Sequence, residues 1–118
     1  MAEPFSFSGV RMRVVSTSEY GEVNTETLFE FTQDDSTVSA RYAGGNVRLG
    51  YLVGATSAEG LRFRYAQVDN HGVIDGGYST CEVGRTIDGR LQLIEHFNWD
   101  SREGSGTNIF EEINVNHS

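Results

Sequence analysis

The chain has 118 residues, 17 of them acidic and nine basic, and a formal net charge of −8. That length suits one compact domain, 1–118, with enough buried surface for a core that needs no staples. The acidic balance argues against a free-standing nucleic-acid binder, because a polyanion would be repelled, and the lack of any long apolar run argues against a membrane partner.

Period-two alternation of β-branched and aromatic residues recurs along the chain, and helical periodicity does not. Val10, Met12 and Val14 alternate with Arg11 and Arg13 in the first expected strand. A polar stretch, Ser16 to Asn24, leads to a second strand in which Thr27, Phe29 and Phe31 share a face and Glu26 and Glu30 lie opposite. Gln33-Asp34-Asp35-Ser36 reads as a turn. Val38, Ala40 and Tyr42 then alternate with Ser39 and Arg41, and Ala43-Gly44-Gly45-Asn46 supplies a tight hairpin. The return strand is expected to put Val47, Leu49, Tyr51 and Val53 on one face.

After Ser57-Ala58-Glu59-Gly60 the next strand has Leu61, Phe63, Tyr65 and Gln67 on one face, with Arg62 and Arg64 opposite. Asp69-Asn70-His71-Gly72 is a turn, and from Val73 to Ile87 the alternation blurs around Gly76 and Gly77. Glycine inside a strand marks a bulge, a bend or a close approach. Following Asp88-Gly89, Leu91, Leu93, Glu95, Phe97 and Trp99 form one face, with Gln92, Ile94, His96 and Asn98 on the other. The last strand is expected from Thr107 to Val115, with Ile109, Glu111, Ile113 and Val115 on its more apolar face.

About eight strands joined by short turns, with no crossover helix, describe an antiparallel meander. No helix or second sheet is at hand to cover its apolar face, so the sheet is expected to close on itself as an all-β up-and-down barrel; a β-sandwich is the alternative.

The inward face of such a barrel is either core or ligand site. Alternation sends Tyr42, Tyr51, Tyr65, Gln67, Glu95, Trp99 and also Glu111 inward, a set too polar for a simple core. Glu95 stands between Leu93 and Phe97 on its face, where desolvation raises a carboxyl pKa and suits it to act as general acid or base. A purely structural carboxylate paired with an arginine or a tyrosine hydroxyl is the competing reading. A one-residue slip of this strand would turn His96 and Asn98 inward instead.

Other chemistry is sparse. Every basic residue is arginine, which excludes Schiff-base catalysis, a lysine-dependent P-loop and a lysine general base. Gly44-Gly45 and Gly76-Gly77 open no helix and precede no lysine, so neither is a phosphate loop. His71 in a turn, His96 on the outer face and His117 in the tail share no ligand spacing, and no metal or other cofactor is expected. Cys81 lacks a Cys-x-x-Cys partner and reads as a small buried hydrophobe. Met1-Ala2-Glu3-Pro4 has no charged, apolar leader, so a cytoplasmic address is expected.

Tyr42-Ala43-Gly44-Gly45-Asn46-Val47 followed by Gly50-Tyr51-Leu52-Val53-Gly54, then Arg64-Tyr65-x-Gln67-Val68, Gly77, Glu95-x-Phe97-x-Trp99 and Ile109-x-Glu111-Glu112, resembles the pattern of a family of short bacterial proteins. The likeness covers nearly the whole chain. Phe97 stands where that family often has a second Trp, and Ser79 and Cys81 reverse its Cys-x-Ser. Its members often bear the label N-acetylglutamate synthase, an activity for which this chain offers neither the helix nor the Gly-rich acetyl-CoA loop. The resemblance implies a shared interior chemistry around Tyr42, Tyr65, Gln67, Glu95 and Trp99. In architecture alone, the expected barrel is similar to the calycin group of lipocalins, fatty-acid-binding proteins and avidin.

Three functions fit these residues. The first is a barrel that binds a small apolar or aromatic metabolite, with Tyr42, Tyr51, Gln67, Phe97 and Trp99 contacting it. The second is a cofactor-free isomerase or cyclase using Glu95 and Tyr65 as catalytic groups. The third is a structural or protein-interaction module with a packed lumen.

Overall fold

A computed structural model describes residues 5–18 and 21–113. Eight strands run in chain order: β1 (Arg11–Ser16), β2 (Leu28–Asp34), β3 (Thr37–Gly44), β4 (Val47–Ser57), β5 (Gly60–Asp69), β6 (Ile74–Arg85), β7 (Leu91–Trp99) and β8 (Ser105–Glu112). Each pairs antiparallel with its neighbours, and β8 returns to β1 through pairs such as Val14–Phe110, so the barrel is closed and the sandwich alternative is excluded. Closure removes the unpaired edges that a meander would otherwise expose. Among the described residues no helix is long and apolar enough to cross a membrane.

Alternation explains most of the interior directly. Met12 and Val14, Phe29 and Phe31, Val38, Ala40 and Tyr42, Leu61 and Phe63, and Leu91 and Leu93 are all buried, as their pattern requires. The β3–β4 hairpin turns through Gly44 and Gly45 with φ of 121° and 63°, the left-handed region that glycine tolerates and other residues rarely enter.

The two ends of the barrel differ. At one end the segment before β1 folds across the opening: Phe7 is fully buried, its ring lies 5.3 Å from that of Phe31, and its backbone N–H donates to Gln33 Oε1. Backbone bonds from Gly9 to Phe31 and from Phe31 to Val10 fix this plug. The opposite end is ringed by the β1–β2, β3–β4, β5–β6 and β7–β8 connections, and the polar interior groups gather beneath it.

Two strands depart from the sequence reading. In β4 the pairing with β5 shifts between Val47 and Leu49, a bulge that flips the remainder of the strand. Gly50 and Leu52 therefore point inward, and Tyr51, 56% exposed, and Val53 lie on the outer face. Gly50 is needed there, since a Cβ would sit 2.3 Å from the ring of Tyr42, its cross-strand partner. In β8 the inner face is Asn108 and Phe110, not Ile109 and Glu111. Burying an aromatic ring against Phe29, with centroids 4.7 Å apart, outweighs burying Ile109, and Glu111 turns outward to Arg90 at 3.6 Å and Gln92. The part of the expected last strand beyond Ile113, with Val115, and His117 lie outside the described residues.

Candidate functional site

The open end leads to a cavity of about 20 Å³ lined by Phe29, Tyr42, Leu52, Phe63, Tyr65, Gln67, Glu95, Phe97, Trp99 and Asn108, with Gly21, Glu22 and Val23 across its mouth. Such a volume holds about one water molecule. Six of the seven residues singled out from the sequence line it: Glu95, Tyr65, Tyr42, Gln67, Phe97 and Trp99. The seventh, Tyr51, is excluded by the β4 bulge, which places it on the outer face.

The aromatic wall is continuous. Trp99 meets Tyr65 edge to face at 5.4 Å and Phe97 at 6.0 Å, and Tyr65 meets Phe63 at 6.1 Å. Across the lumen the ring of Tyr42 stacks on Phe29 at 4.5 Å. Gly77 opposes Trp99 in the β6–β7 ladder, and a Cβ on it would lie 2.0 Å from the Asn98 carbonyl and 2.6 Å from the Tyr65 hydroxyl. The interruption of alternation at Gly76-Gly77 thus marks a close approach that lets Tyr65 reach the Asn98 carbonyl, to which it donates at 3.2 Å.

Polar tips are set into this wall as two groups. In the first, the Tyr42 hydroxyl donates to Gln67 Oε1 at 2.9 Å, joining β3 to β5. The second is centred on Glu95, 5% exposed, whose Oε2 accepts from Ser79 Oγ at 2.6 Å and whose Oε1 accepts from Asn108 Nδ2 at 2.9 Å. Thr17 Oγ1 in turn donates to Asn108 Oδ1 at 2.5 Å, so the chain of bonds runs from β6 through β7 and β8 into the β1–β2 connection. Gln67 Oε1 is occupied, but its amide nitrogen has no bond among the described residues. Among the described residues Ser18 Oγ is the buried side-chain polar atom without a partner.

Burial raises the Glu95 pKa, and the Ser79 and Asn108 donors, with His96 nearby, pull it partly back. Burial, reinforced by the field of Glu95, also raises the Tyr42 and Tyr65 hydroxyls well above their ordinary range, so both are protonated donors near neutrality. Cys81, directly opposite Glu95 in the β6–β7 ladder, is raised by the same two causes and is a poor thiolate.

Sequence reasoning missed Ser79, Asn108 and Thr17. Asn108 was hidden by the register of β8, although its alternation with Phe110 was a usable sign. His96 faces outward to Glu82 at 2.9 Å, and His71 is exposed in its turn. Among the described residues no three of His, Cys, Asp and Glu converge as a metal site.

Compared with known proteins, the chain matches a family model described as Avidin-like protein over residues 5–113. Neither the curated proteins nor the solved structures gave a match.

Proposed function

The chain belongs to the avidin-like family, and from that membership we propose that it binds a small apolar or aromatic metabolite in the lumen between Tyr42, Tyr65, Phe97 and Trp99. An avidin-like, calycin-like barrel fits small-molecule binding in general. The observation that carries the reading is a cavity walled largely by aromatic rings and lined also by Gln67, whose amide nitrogen has no bond among the described residues. An amide N–H that lines the cavity and meets no acceptor among the described residues is open to a ligand carbonyl or hydroxyl. Aromatic faces supply contact area, and Tyr42 holds the Gln67 side chain in one orientation.

Trp99 is the sole tryptophan and a direct reporter. Titration of its fluorescence with a panel of hydrophobic and aromatic metabolites should find ligands that shift its emission and raise the melting temperature. Gln67→Leu should weaken them roughly tenfold, the worth of one hydrogen bond in a dry site. A panel silent by both measurements overturns the reading.

The second reading, a cofactor-free isomerase or cyclase, draws on the buried, raised carboxyl of Glu95. Both of its oxygens already accept hydrogen bonds from fixed donors, an arrangement better suited to holding a wall in place than to moving a proton. Loss of turnover in Glu95→Gln, with the fold intact, would favour it.

A further inference from the structure

The cavity lies beneath a cover, and the cover has an identifiable fastening. Gly21, Glu22 and Val23, from the β1–β2 connection, lie across the opening. Val23 is buried, and Gly21 passes so close to the site that a Cβ would lie 2.2 Å from Thr17 Oγ1 and 3.1 Å from Asn108 Oδ1. Opposite stands Arg102, in the β7–β8 connection. Its guanidinium lies over the Trp99 ring, 4.2 Å from the centroid, with Nη2 3.5 Å from the Glu22 carboxylate and Nη1 3.7 Å from that of Asp75.

The two sides of this contact are anchored unequally. Asp75 is buried, and its carboxylate accepts from Ser101 Oγ at 2.7 Å. Ser101 Oγ also accepts from the Gly76 N–H at 3.0 Å, and Asp100 is paired with Arg64 at 3.0 Å. The β7–β8 connection is therefore pinned to β5 and β6 just before Arg102. On the other side the first firm anchor after Val23 is the Asn24–Thr27 turn, in which the Thr27 hydroxyl donates to the Gly44 carbonyl at 3.0 Å and accepts from the Asn24 N–H. Gly21 to Val23 form a short strap over the lumen, its start held by the Gly21 N–H donating to the Ser18 carbonyl at 3.0 Å, its end by the buried Val23 side chain, and its middle tied to the pinned side through Glu22.

We infer that the Arg102–Glu22 ion pair is a latch that holds the Gly21–Val23 strap closed over the lumen and sets how readily it opens. This rests on the lumen being a ligand site, since only then does opening have a use. The pair is long and partly exposed, with side chains 38% and 25% accessible, so it biases the strap without locking it. Salt screens such a pair, and a guest that gains contacts in the opened lumen overcomes it. Arg102 keeps its place over Trp99 and beside Asp75 when Glu22 lets go, so the latch re-forms without rebuilding the rim.

Quenching of Trp99 fluorescence by acrylamide, a neutral probe, reads the opening with no ligand present. Glu22→Gln keeps the shape of the strap and removes the charge. It should raise the quenching constant roughly two- to fivefold at low salt, as loss of a partly exposed ion pair implies. Glu103→Gln, in the same rim and without an ion pair among the described residues, should leave it unchanged. Added salt should bring the native protein towards Glu22→Gln and barely affect that variant. Backbone amide exchange at Glu22 and Val23 should accelerate in the same variant while the strand amides do not, which separates strap opening from general loosening. Equal quenching in the native protein and Glu22→Gln, with no salt dependence, overturns the latch. The metabolite titration is independent: ligands that bind a barrel with unchanged quenching would leave the binding reading standing and remove the latch alone.

Discussion

Glu95 and Asn108 face each other directly across the β7–β8 ladder, and the Asn108 amide donates to the Glu95 carboxylate at 2.9 Å, both side chains being buried. Strand register alone decides that contact. A slip of one residue in β8 would put Ile109 or Thr107 there and leave a buried carboxylate with Ser79 as its remaining donor. Asn108→Ala makes that loss without a slip. It should destabilise the protein by about 1–3 kcal/mol at neutral pH, the cost of stranding a buried acceptor, as measured by urea unfolding. The loss should shrink under acid conditions, where Glu95 is protonated.

The pH dependence of Glu95 has a definite sign. Burial raises its folded-state pKa above the ordinary 4.5, so the stability linked to it is complete below that value and is lost as pH rises through the raised folded value. Unfolding free energies measured between about pH 4 and pH 8 should therefore fall for the native protein relative to Glu95→Gln, which carries no such charge. A constant difference across the range would refute the assignment of Glu95 as a desolvated carboxyl.

Tyr42 and Tyr65 should titrate late. Their folded-state values are raised, first by burial and then by Glu95, so the linked stability is present below the ordinary tyrosine value of 10 and is lost as pH climbs towards the folded ones. Alkaline titration followed by ultraviolet absorbance should show two tyrosines that ionise only as the barrel unfolds. Tyr42→Phe should remove one of them and cost about 1 kcal/mol through the lost bond to Gln67, while the stacking on Phe29 survives.

Gly50 and Tyr51 are neighbours with opposite consequences. Gly50→Ala forces a methyl against the Tyr42 ring and should destabilise by about 1–3 kcal/mol, read as a lower melting temperature. Tyr51→Ser, on the outer face, should change stability by no more than about 0.5 kcal/mol and leave Trp99 emission unchanged. A large loss at Tyr51 would mean that β4 runs in the register its sequence suggested.

Those two residues also show how far the sequence could be read. The all-β class, the closure and the inward faces of β1, β2, β3, β5 and β7 follow from alternation, and that was enough to bring six candidate residues to one cavity. Alternation is blind to an extra residue. The bulge after Val47 reverses β4 without any change in composition, and the apolar Leu49, Tyr51 and Val53 then favour the wrong face. The alternation of Gly50 and Gly54 with Tyr51 and Val53 was the better guide, because a barrel interior already holding Tyr42 and Phe63 has no room for more side chains there. In β8, Ile109 and Ile113 made the outer face look apolar. Ser79 and Asn108 were not legible for a different reason: as small polar residues they gain meaning only from the carboxylate that register places beside them.

Phe7, seated on Phe31 at the far end, makes the molecule a cup and not a tube. A cup has one door. If the lumen takes a guest as proposed, what passes Trp99 inward leaves past it again, so a group at the rim that slows arrival slows departure through the same barrier. Behind the cavity Met12, Val14, Phe31, Val38, Leu61 and Leu93 fill the lumen down to Phe7, so the base of the cup is thick as well as closed.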